Sequence, residues 1–213
     1  MLRSLIPLIA LLACGTALAD EGTPPSQLAD LLGSNADAGF ARALEPREFS
    51  FPADHGAHPA FRNEWWYITG NLDDEAGRRF GFELTIFRFA LAPAVPDSES
   101  RGRTNQVYIA HLAVTNPDDE RFYVAQRYSR GALGLSGAQA EPIRVWIDDW
   151  EIAKSSDSDA WRLRADDAAF GIDVKLSALK PPVLNGIDGL SQKSSDPGNA
   201  SYYYSMTRLG TEG

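Results

Sequence analysis

The composition excludes intramolecular disulfide bonds, because the 213-residue sequence contains a single cysteine, Cys14. Even in an oxidising compartment, covalent cross-links within the chain therefore contribute nothing to its stability. Histidine is almost as scarce. His55, His58 and His111 are the only imidazoles that a metal or acid–base site could use.

Positive charge and long apolar runs are also in short supply. The chain has 20 Lys and Arg against 29 Asp and Glu, a formal net charge of −9 at pH 7. A surface this acidic repels phosphate backbones, so we expect no nucleic-acid partner. No apolar run reaches the ~18 residues of a membrane-spanning helix. The hydrophobic content of 44% nevertheless predicts a folded core.

The N-terminus has the pattern of an export signal. Arg3 is followed by an apolar stretch that ends at Ala17-Leu18-Ala19, the small-residue pattern that signal peptidase cuts after. Pro7 within the stretch argues against a buried helix. We therefore predict a signal peptide over residues 1–19, a mature chain from Asp20, and export to the periplasm or beyond.

A lipid anchor is an alternative interpretation of the same segment. Leu11 to Cys14 is an imperfect lipobox, in which Cys14 would carry the lipid. Both readings stay open here, because the cleavage pattern at Ala19 competes with the lipobox.

Residues 20–48 are predicted to be an N-terminal arm with short helices. Ser26 can cap a helix that ends at Gly33. Asn35 to Leu44 predicts a second, weak helical turn, and Pro46 ends any helix.

From residue 49 onward the apolar residues alternate with a period of two, which is typical of β-strands. Eight such runs occur: 65–72, 80–87, 107–112, 122–128, 143–148, 161–166, 170–177 and 202–209. Between them there is no helical pattern long enough for a parallel crossover. The sequence thus predicts an all-β, antiparallel fold, with a barrel favoured because it removes sheet edges and leaves an interior for a ligand. Two long loops, 93–106 and 180–200, are predicted to be lids or flaps.

Several segments resemble one protein family in the family's own order. They are FPADHGAHPAFRNEWWYITGNL (51–72), FGFELTIFR (80–88), YIAHLAVTN (108–116), YSRGALGLSGA (128–138), VWIDDWEI (145–152), LNGIDGLSQKS (184–194) and SYYYSMTRL (201–209). The chain is thereby identified as a member of the AttH/carotenoid 1,2-hydratase family.

That resemblance implies a lipocalin-like β-barrel over residues 49–213, the first of two tandem barrels in the family. It also implies two kinds of partner: an ABC-transporter permease, and the family's second barrel. The sequence departs from the family by stopping at Gly213, before the acidic–aromatic motif of that second half. The residues most suspect for acid catalysis are therefore expected to be absent.

Asp54, His55 and Glu64 form the candidate catalytic group. Adding water to an alkene needs an acid and a base, and a carboxyl held beside aromatic rings would have its pKa raised toward the acid role. Glu64 directly precedes two tryptophans and is the best local candidate. The alternative is that Glu64 pairs with Arg62 or Arg88 to seat its strand.

The same segment could in principle hold a metal through four residues: Asp54, His55, His58 and Glu64. However, His-x-x-His spacing in a loop rich in Gly and Pro does not place both rings on one face. We therefore predict no metal and no cofactor, and expect the loop's polar side chains to bond its own backbone.

Five residues are the candidate ligand contacts: Trp65, Trp66, Tyr67, Arg88 and His111. Aromatic faces suit a flat polyene or terpenoid and can stabilise a carbocation, while Arg88 and His111 would meet a polar end. Ordinary core packing is the alternative for the aromatics, and a satisfied strand histidine is the alternative for His111.

Three functional hypotheses follow. The first is an exported carrier of a hydrophobic, isoprenoid- or lipid-like ligand, accessory to an ABC transporter. The second is a cofactor-free hydratase-like lyase or cyclase. The third is a structural half-domain whose face packs against a second barrel. Export and the missing acidic motif favour the carrier.

Overall fold

The computed structural model describes residues 38–154 and 159–213, and these residues form an antiparallel all-β fold. The predicted signal peptide, Cys14 and the helix predicted after Ser26 lie outside the described residues. Of the weak helical turn predicted over Asn35 to Leu44, the described part has a turn and a bend at residues 38–40, no regular element at residues 41–44, and no helix. No helix in the described ranges is long and apolar enough to cross a membrane.

Two large sheets carry the fold. The first is a meander of β1 (Asn63–Asp73), β2 (Arg79–Ala90), β3 (Gln106–Asn116) and β4 (Arg121–Arg130). The second has the order β14-β9-β8-β7-β6-β5, from β5 (Ser136–Ala140), β6 (Ile143–Ile147), β7 (Trp150–Lys154), β8 (Trp161–Asp167), β9 (Phe170–Ala178) and β14 (Leu209–Glu212). Hairpin connections between sequence neighbours account for nearly all of this order, as the absence of helical crossovers required.

The loop predicted over residues 180–200 is partly ordered into small ladders. β10 (Val183–Leu184) pairs with β13 (Tyr204–Ser205), and β11 (Leu190–Gln192) pairs with β12 (Ala200–Tyr202). This segment runs beside the edge of the first sheet, where it meets the residues that precede β1.

The core lies between the two large sheets, because one face of each strand is apolar. Leu84 and Ile86 of β2 are fully buried, as are Ile147 of β6 and Leu163 of β8. On β3 the inward residues are Tyr108, Ala110 and Leu112, so the intervening positions face outward. The period-two alternation thus predicted the core correctly, since each strand presents alternate residues to the same face.

The sheets face each other without being closed into one continuous ladder among the described residues. β1 is an edge of the first sheet, and β14 is an edge of the second. Side chains, rather than backbone bonds, connect β1 to the chain beyond it: Tyr67 Oη lies 3.0 Å from Tyr203 Oη, and the Trp65 ring packs on Tyr203. The antiparallel all-β prediction is confirmed, and the open side next to β1 is where the candidate site lies.

Candidate functional site

The segment before β1 contains a short turn from which two neighbouring side chains, those of Asp54 and His55, point in opposite directions. A single 3-10 turn, Ala53–His55, buries both Asp54 and His55. Asp54 faces a group of charged side chains, and His55 faces a group of aromatic rings. Gly56, which follows the turn, packs so closely on Ala140 of β5 that a Cβ there would lie 2.6 Å from the Ala140 Cβ. The turn is therefore held firmly against the second sheet.

The charged side consists of five residues that we call the ionic network: Arg47, Asp54, His58, Glu64 and Arg88. Arg47 lies 2.6 Å from Asp54 Oδ1, and His58 Nε2 lies 2.8 Å from the same oxygen. On its other side, His58 Nδ1 lies 2.6 Å from Glu64 Oε1. Glu64 Oε2 in turn accepts a 2.7 Å bond from Arg88 Nε. The network thus runs unbroken from the loop into the first sheet.

His58 is an imidazolium in this arrangement, because both of its ring nitrogens face carboxylate oxygens, which only accept hydrogen bonds. The hydrogen bond with Glu64 raises the pKa of His58 against the effect of burial, and Asp54 acts in the same direction. Both carboxyls are ionised. Burial would raise the pKa of Asp54, but hydrogen bonds from Arg47, the Ser50 amide and His58 lower it to about 2.

Glu64 does not have the raised pKa that its aromatic neighbours led us to expect. Burial acts in that direction, but the His58 hydrogen bond and the Arg88 charge lower the pKa below its usual range. Arg88 is 1% exposed, and its guanidinium also donates to Gln106 Oε1 and to the carbonyls of His58 and Phe61. The Glu64–Arg88 pair therefore seats β1 against β2, which was the structural alternative for Glu64.

The aromatic side surrounds His55. Its Nδ1 lies 2.7 Å from Tyr204 Oη, and its ring contacts Phe51 at 4.7 Å and Trp161 at 5.0 Å between centroids. Burial lowers the pKa of His55 to about 4, and the Lys154 ammonium acts in the same direction. Burial also raises the pKa of Tyr204. His55 and Tyr204 are thus a neutral hydrogen-bonded pair at neutral pH.

Both sides of the turn line one cavity of about 540 Å³ beside β1. The ionic network contributes Arg47, Asp54, His58 and Glu64, whereas Arg88 lies behind them. Apolar and aromatic residues form most of the remaining walls: Phe49, Phe61, Trp65, Trp66, Tyr67, Ile68, Ile152, Trp161, Leu163, Leu176, Tyr202, Tyr203, Tyr204 and Leu209. Two arginines and several polar residues also line the cavity: Arg42, Arg62, Asn63, Thr69, Ser201, Ser205 and Thr207.

The structure brings some of the predicted residues together and separates others. Asp54 and Glu64 are joined through His58, while His55 points away from both. Trp65, Trp66 and Tyr67 all line the cavity, since β1 is an edge strand and both of its faces border the open side.

Arg88 and His111 do not line the cavity as the structure describes it. Arg88 is committed to Glu64 and backbone carbonyls. His111 lies on the outer face of β3, where its ring packs on Phe87 at 5.9 Å. That face is opposite to Tyr108, Ala110 and Leu112, so the expectation that His111 meets a ligand in the barrel interior gains no support from its position.

Sequence reasoning missed His58, Arg47 and Tyr204 as site residues. His58 was considered only as a metal ligand, although two carboxylates within six residues of it in the sequence were a signal for an imidazolium. Tyr204 lies 149 residues from His55, and no local pattern could have paired them. Among the described residues, no group of three or more His, Cys, Asp or Glu is arranged to hold a metal ion.

Comparison with known proteins identifies the family. No functionally curated protein matches the sequence. The crystal structure of a protein assigned as an AttH from Nitrosomonas europaea is similar with a TM-score of 0.70 and 32% identity, over 82% of this chain. This chain spans about half, 51%, of that relative's length. The AttH-like family profile matches residues 42–213, and the chain belongs to the AttH-like family.

Proposed function

We propose that this protein binds a hydrophobic small molecule, isoprenoid- or lipid-like, in the cavity beside β1. The observation that carries the proposal is the cavity itself, whose 540 Å³ lies within the range of small-molecule sites. Its walls are mainly aromatic and aliphatic, with a few polar groups grouped at the 3-10 turn, as ligand sites typically are.

The aromatic walls come from distant parts of the chain. Trp66 donates from its indole nitrogen to the His55 carbonyl at 2.9 Å, which fixes its ring at the cavity floor. Trp161 stands edge-on to the His55 ring, and Tyr202 packs edge-on to Phe61 at 5.7 Å. Rings held in this way offer large, rigid apolar surfaces, which lower the entropic cost of binding a flat or extended ligand.

Fluorescence titration with the neutral probe N-phenyl-1-naphthylamine tests the proposal. We expect saturable, one-to-one binding by the intact protein, weakened at least about tenfold by Trp161→Ala, since a large part of one wall is removed. Trp146→Ala is the matched control, because Trp146 stands on β6 outside the cavity lining and donates to the Gly134 carbonyl. Equal loss in both variants, or no saturable binding by the intact protein, would contradict the proposal.

The cellular setting is part of the same proposal. The signal-like residues 1–19 support a protein that works in the periplasm or outside the cell, cut before Asp20 or lipidated at Cys14. The family resemblance supports an ABC-transporter permease as the partner that receives or delivers the ligand. Mass spectrometry of the mature N-terminus in fractionated cells separates the two processing routes, and co-purification from membranes tests the permease.

The second barrel of the family is a further proposed partner. The outer face of the first sheet exposes Phe122, Val124 and Tyr128 by more than half of their surface, and Tyr67 nearly as much. The relative from Nitrosomonas europaea is about twice as long as the matched region, which supports a second domain as the cover. We expect the amides of this face to exchange more slowly when residues 1–213 are joined to a second family barrel than when residues 1–213 are measured alone.

A cofactor-free hydratase or cyclase is the second candidate function. The observation that favours it is the neutral His55–Tyr204 pair on an aromatic wall. A proton from solvent would add to the alkene and form a carbocation, and the neutral imidazole can accept the proton that water loses on attacking that cation, so that one water is added overall. Incubation with linear carotenoids in ¹⁸O-labelled water is expected to give a product heavier by one water, with none from His55→Gln. Cyclisation leaves the mass unchanged and is detected as a product of new retention time and absorption spectrum. No product of either kind across a panel of polyenes would leave binding as the function.

A further inference from the structure

We propose that the cavity selects amphiphiles with an anionic head, such as a carboxylate on an apolar tail. The inference rests on the proposed function, and it adds the chemistry of the head group. Three observations support it: the charges that line the cavity, one hydrogen-bond donor of Arg47 that has no partner among the described residues, and the position of Arg42 at the rim.

The ionic network carries an excess of positive charge. Its cationic groups are Arg47, His58 and Arg88, and its carboxylates are Asp54 and Glu64. The two carboxylates leave one of these three positive charges uncompensated. Arg88 lies behind the wall, but Arg42 and Arg62 add two further cations to the lining itself. Among the described lining residues, Asp54 and Glu64 are the only acids. This cavity is thus locally positive in a protein whose net charge is −9.

Arg47 has capacity for a further acceptor. One Nη donates to Asp54 and the other to the Glu48 carbonyl at 3.0 Å, but the buried Nε has no hydrogen-bond partner within the described part of the chain. The guanidinium lies over the rings of Phe49 and Tyr202, at 4.4 and 4.9 Å from their centroids. A buried unsatisfied donor is costly, and a ligand oxygen that accepts from it would remove that cost.

Arg42 is the lining cation that lies at the rim of the same cavity, where it is exposed. It packs on Gly198, whose φ of +77° favours glycine, and a Cβ there would lie 2.8 Å from the Arg42 Nε. Glycine at this position therefore leaves room for the guanidinium beside the cavity entrance. An anionic head between Arg42 and Arg47 would leave the tail against Trp161, Leu163 and Leu176.

Competition against N-phenyl-1-naphthylamine by three amphiphiles with the same tail tests the head group. Dodecanoate, dodecanol and dodecylamine are compared below their micelle concentrations, at low and at high potassium chloride. We expect dodecanoate to displace the probe at least about tenfold more tightly than dodecanol, as one charge-assisted hydrogen bond provides. Salt is expected to weaken the preference for dodecanoate and to leave dodecanol unchanged.

Variants locate the effect. Arg42→Gln and the double variant with Arg47→Gln are expected to reduce the preference stepwise, whereas Arg42→Lys retains most of it. Arg78→Gln is the matched control, because it also removes one positive charge, but from the exposed β1–β2 turn, where Arg78 pairs with Asp74. Near-ultraviolet circular dichroism and probe binding confirm that each variant remains folded.

The outcomes separate the two proposals. Preference for dodecanoate that falls with Arg42→Gln and not with Arg78→Gln supports the inference. Equal displacement by dodecanoate and dodecanol, or a preference for dodecylamine, overturns it and leaves hydrophobic binding intact. If dodecanoate is preferred, dodecyl sulfate and dodecyl phosphate show whether the preference extends to other anionic head groups. Absence of probe binding by the intact protein removes the proposed function, and this inference with it.

Discussion

His55 and His58 differ by three positions in the sequence and are opposites in chemistry. His58 lies between two carboxylates and is held as an imidazolium, whereas His55 lies among Phe51, Trp161 and Tyr204 and is held neutral. Burial is similar in kind for both, so the sign of each pKa shift is decided by the neighbours. The comparison shows that one short segment, residues 54–58, supplies both charged and neutral polar groups of the cavity.

The largest effect is expected from removing the carboxylate that ties His58 to the sheet. Glu64→Gln leaves Arg88, 1% exposed, without an opposite charge, and breaking a buried pair in this way costs about 3–5 kcal/mol. Urea unfolding measures the loss. Asp73→Asn on the same strand is the control, because its pair with Arg79 is exposed and we expect no measurable change. Similar losses in both variants would show that the ionic network is unimportant.

The pH dependence of stability separates the two histidines by sign. The pKa of His55 is about 4 in the folded state against 6.5 ordinarily, so its contribution is complete above pH 6.5 and is lost as pH falls toward 4. The full loss is about 3 kcal/mol. The pKa of His58 is raised, so its contribution is complete below pH 6.5 and is lost as pH rises through the folded value.

Two variants resolve these opposing slopes in unfolding free energies measured between pH 5 and 9. His55→Gln is expected to reduce the loss of unfolding free energy as the pH falls below 6.5. His58→Gln is expected to reduce the loss of unfolding free energy as the pH rises above 6.5. The lowered pKa values of Asp54 and Glu64 keep the carboxylates from titrating above pH 5. Identical profiles for the two variants would contradict the assignment of opposite charge states.

A smaller effect is expected on the aromatic side. Tyr204→Phe removes the hydroxyl that bonds His55 Nδ1 and costs about 1 kcal/mol in thermal unfolding. Tyr203→Phe is its matched control, because it removes a hydroxyl from the exposed pair with Tyr67. We expect this substitution to lower the free energy of unfolding by only about 0.3 kcal/mol. If Tyr203→Phe is the more damaging of the two, the His55–Tyr204 bond is not what holds the turn.

The fold was largely predictable because strand alternation is a local signal. The apolar positions of β2, β6, β8 and β9 identified the core directly, whereas on β3 the core face is the one opposite to His111. β5 and β7 were missed: β5 is made of small residues with little apolar contrast, and β7 is five residues long. β10 and β11 were missed because two- and three-residue strands leave no periodic pattern. The single run predicted over 202–209 is divided among the short strands β12, β13 and β14.

The site was predictable only where the interacting residues lie near each other in the sequence or on paired strands. Arg88 was one of two partners named for Glu64, and the strand register sets them opposite each other. The role of His58 depends on the loop folding back on itself, and the neutral state of His55 depends on Trp161 and Tyr204. Such long-range neighbours decide a pKa, and local sequence cannot supply them.

The bond between His55 and Tyr204 joins the two ends of the described chain across 149 positions. Closing so large a loop is slow compared with forming the hairpins between them. The two sheets can therefore form before the cavity has its last wall. The wall that carries Tyr204 is completed only when the C-terminal segment returns to the 3-10 turn, so the cavity is the last part of the domain to take shape.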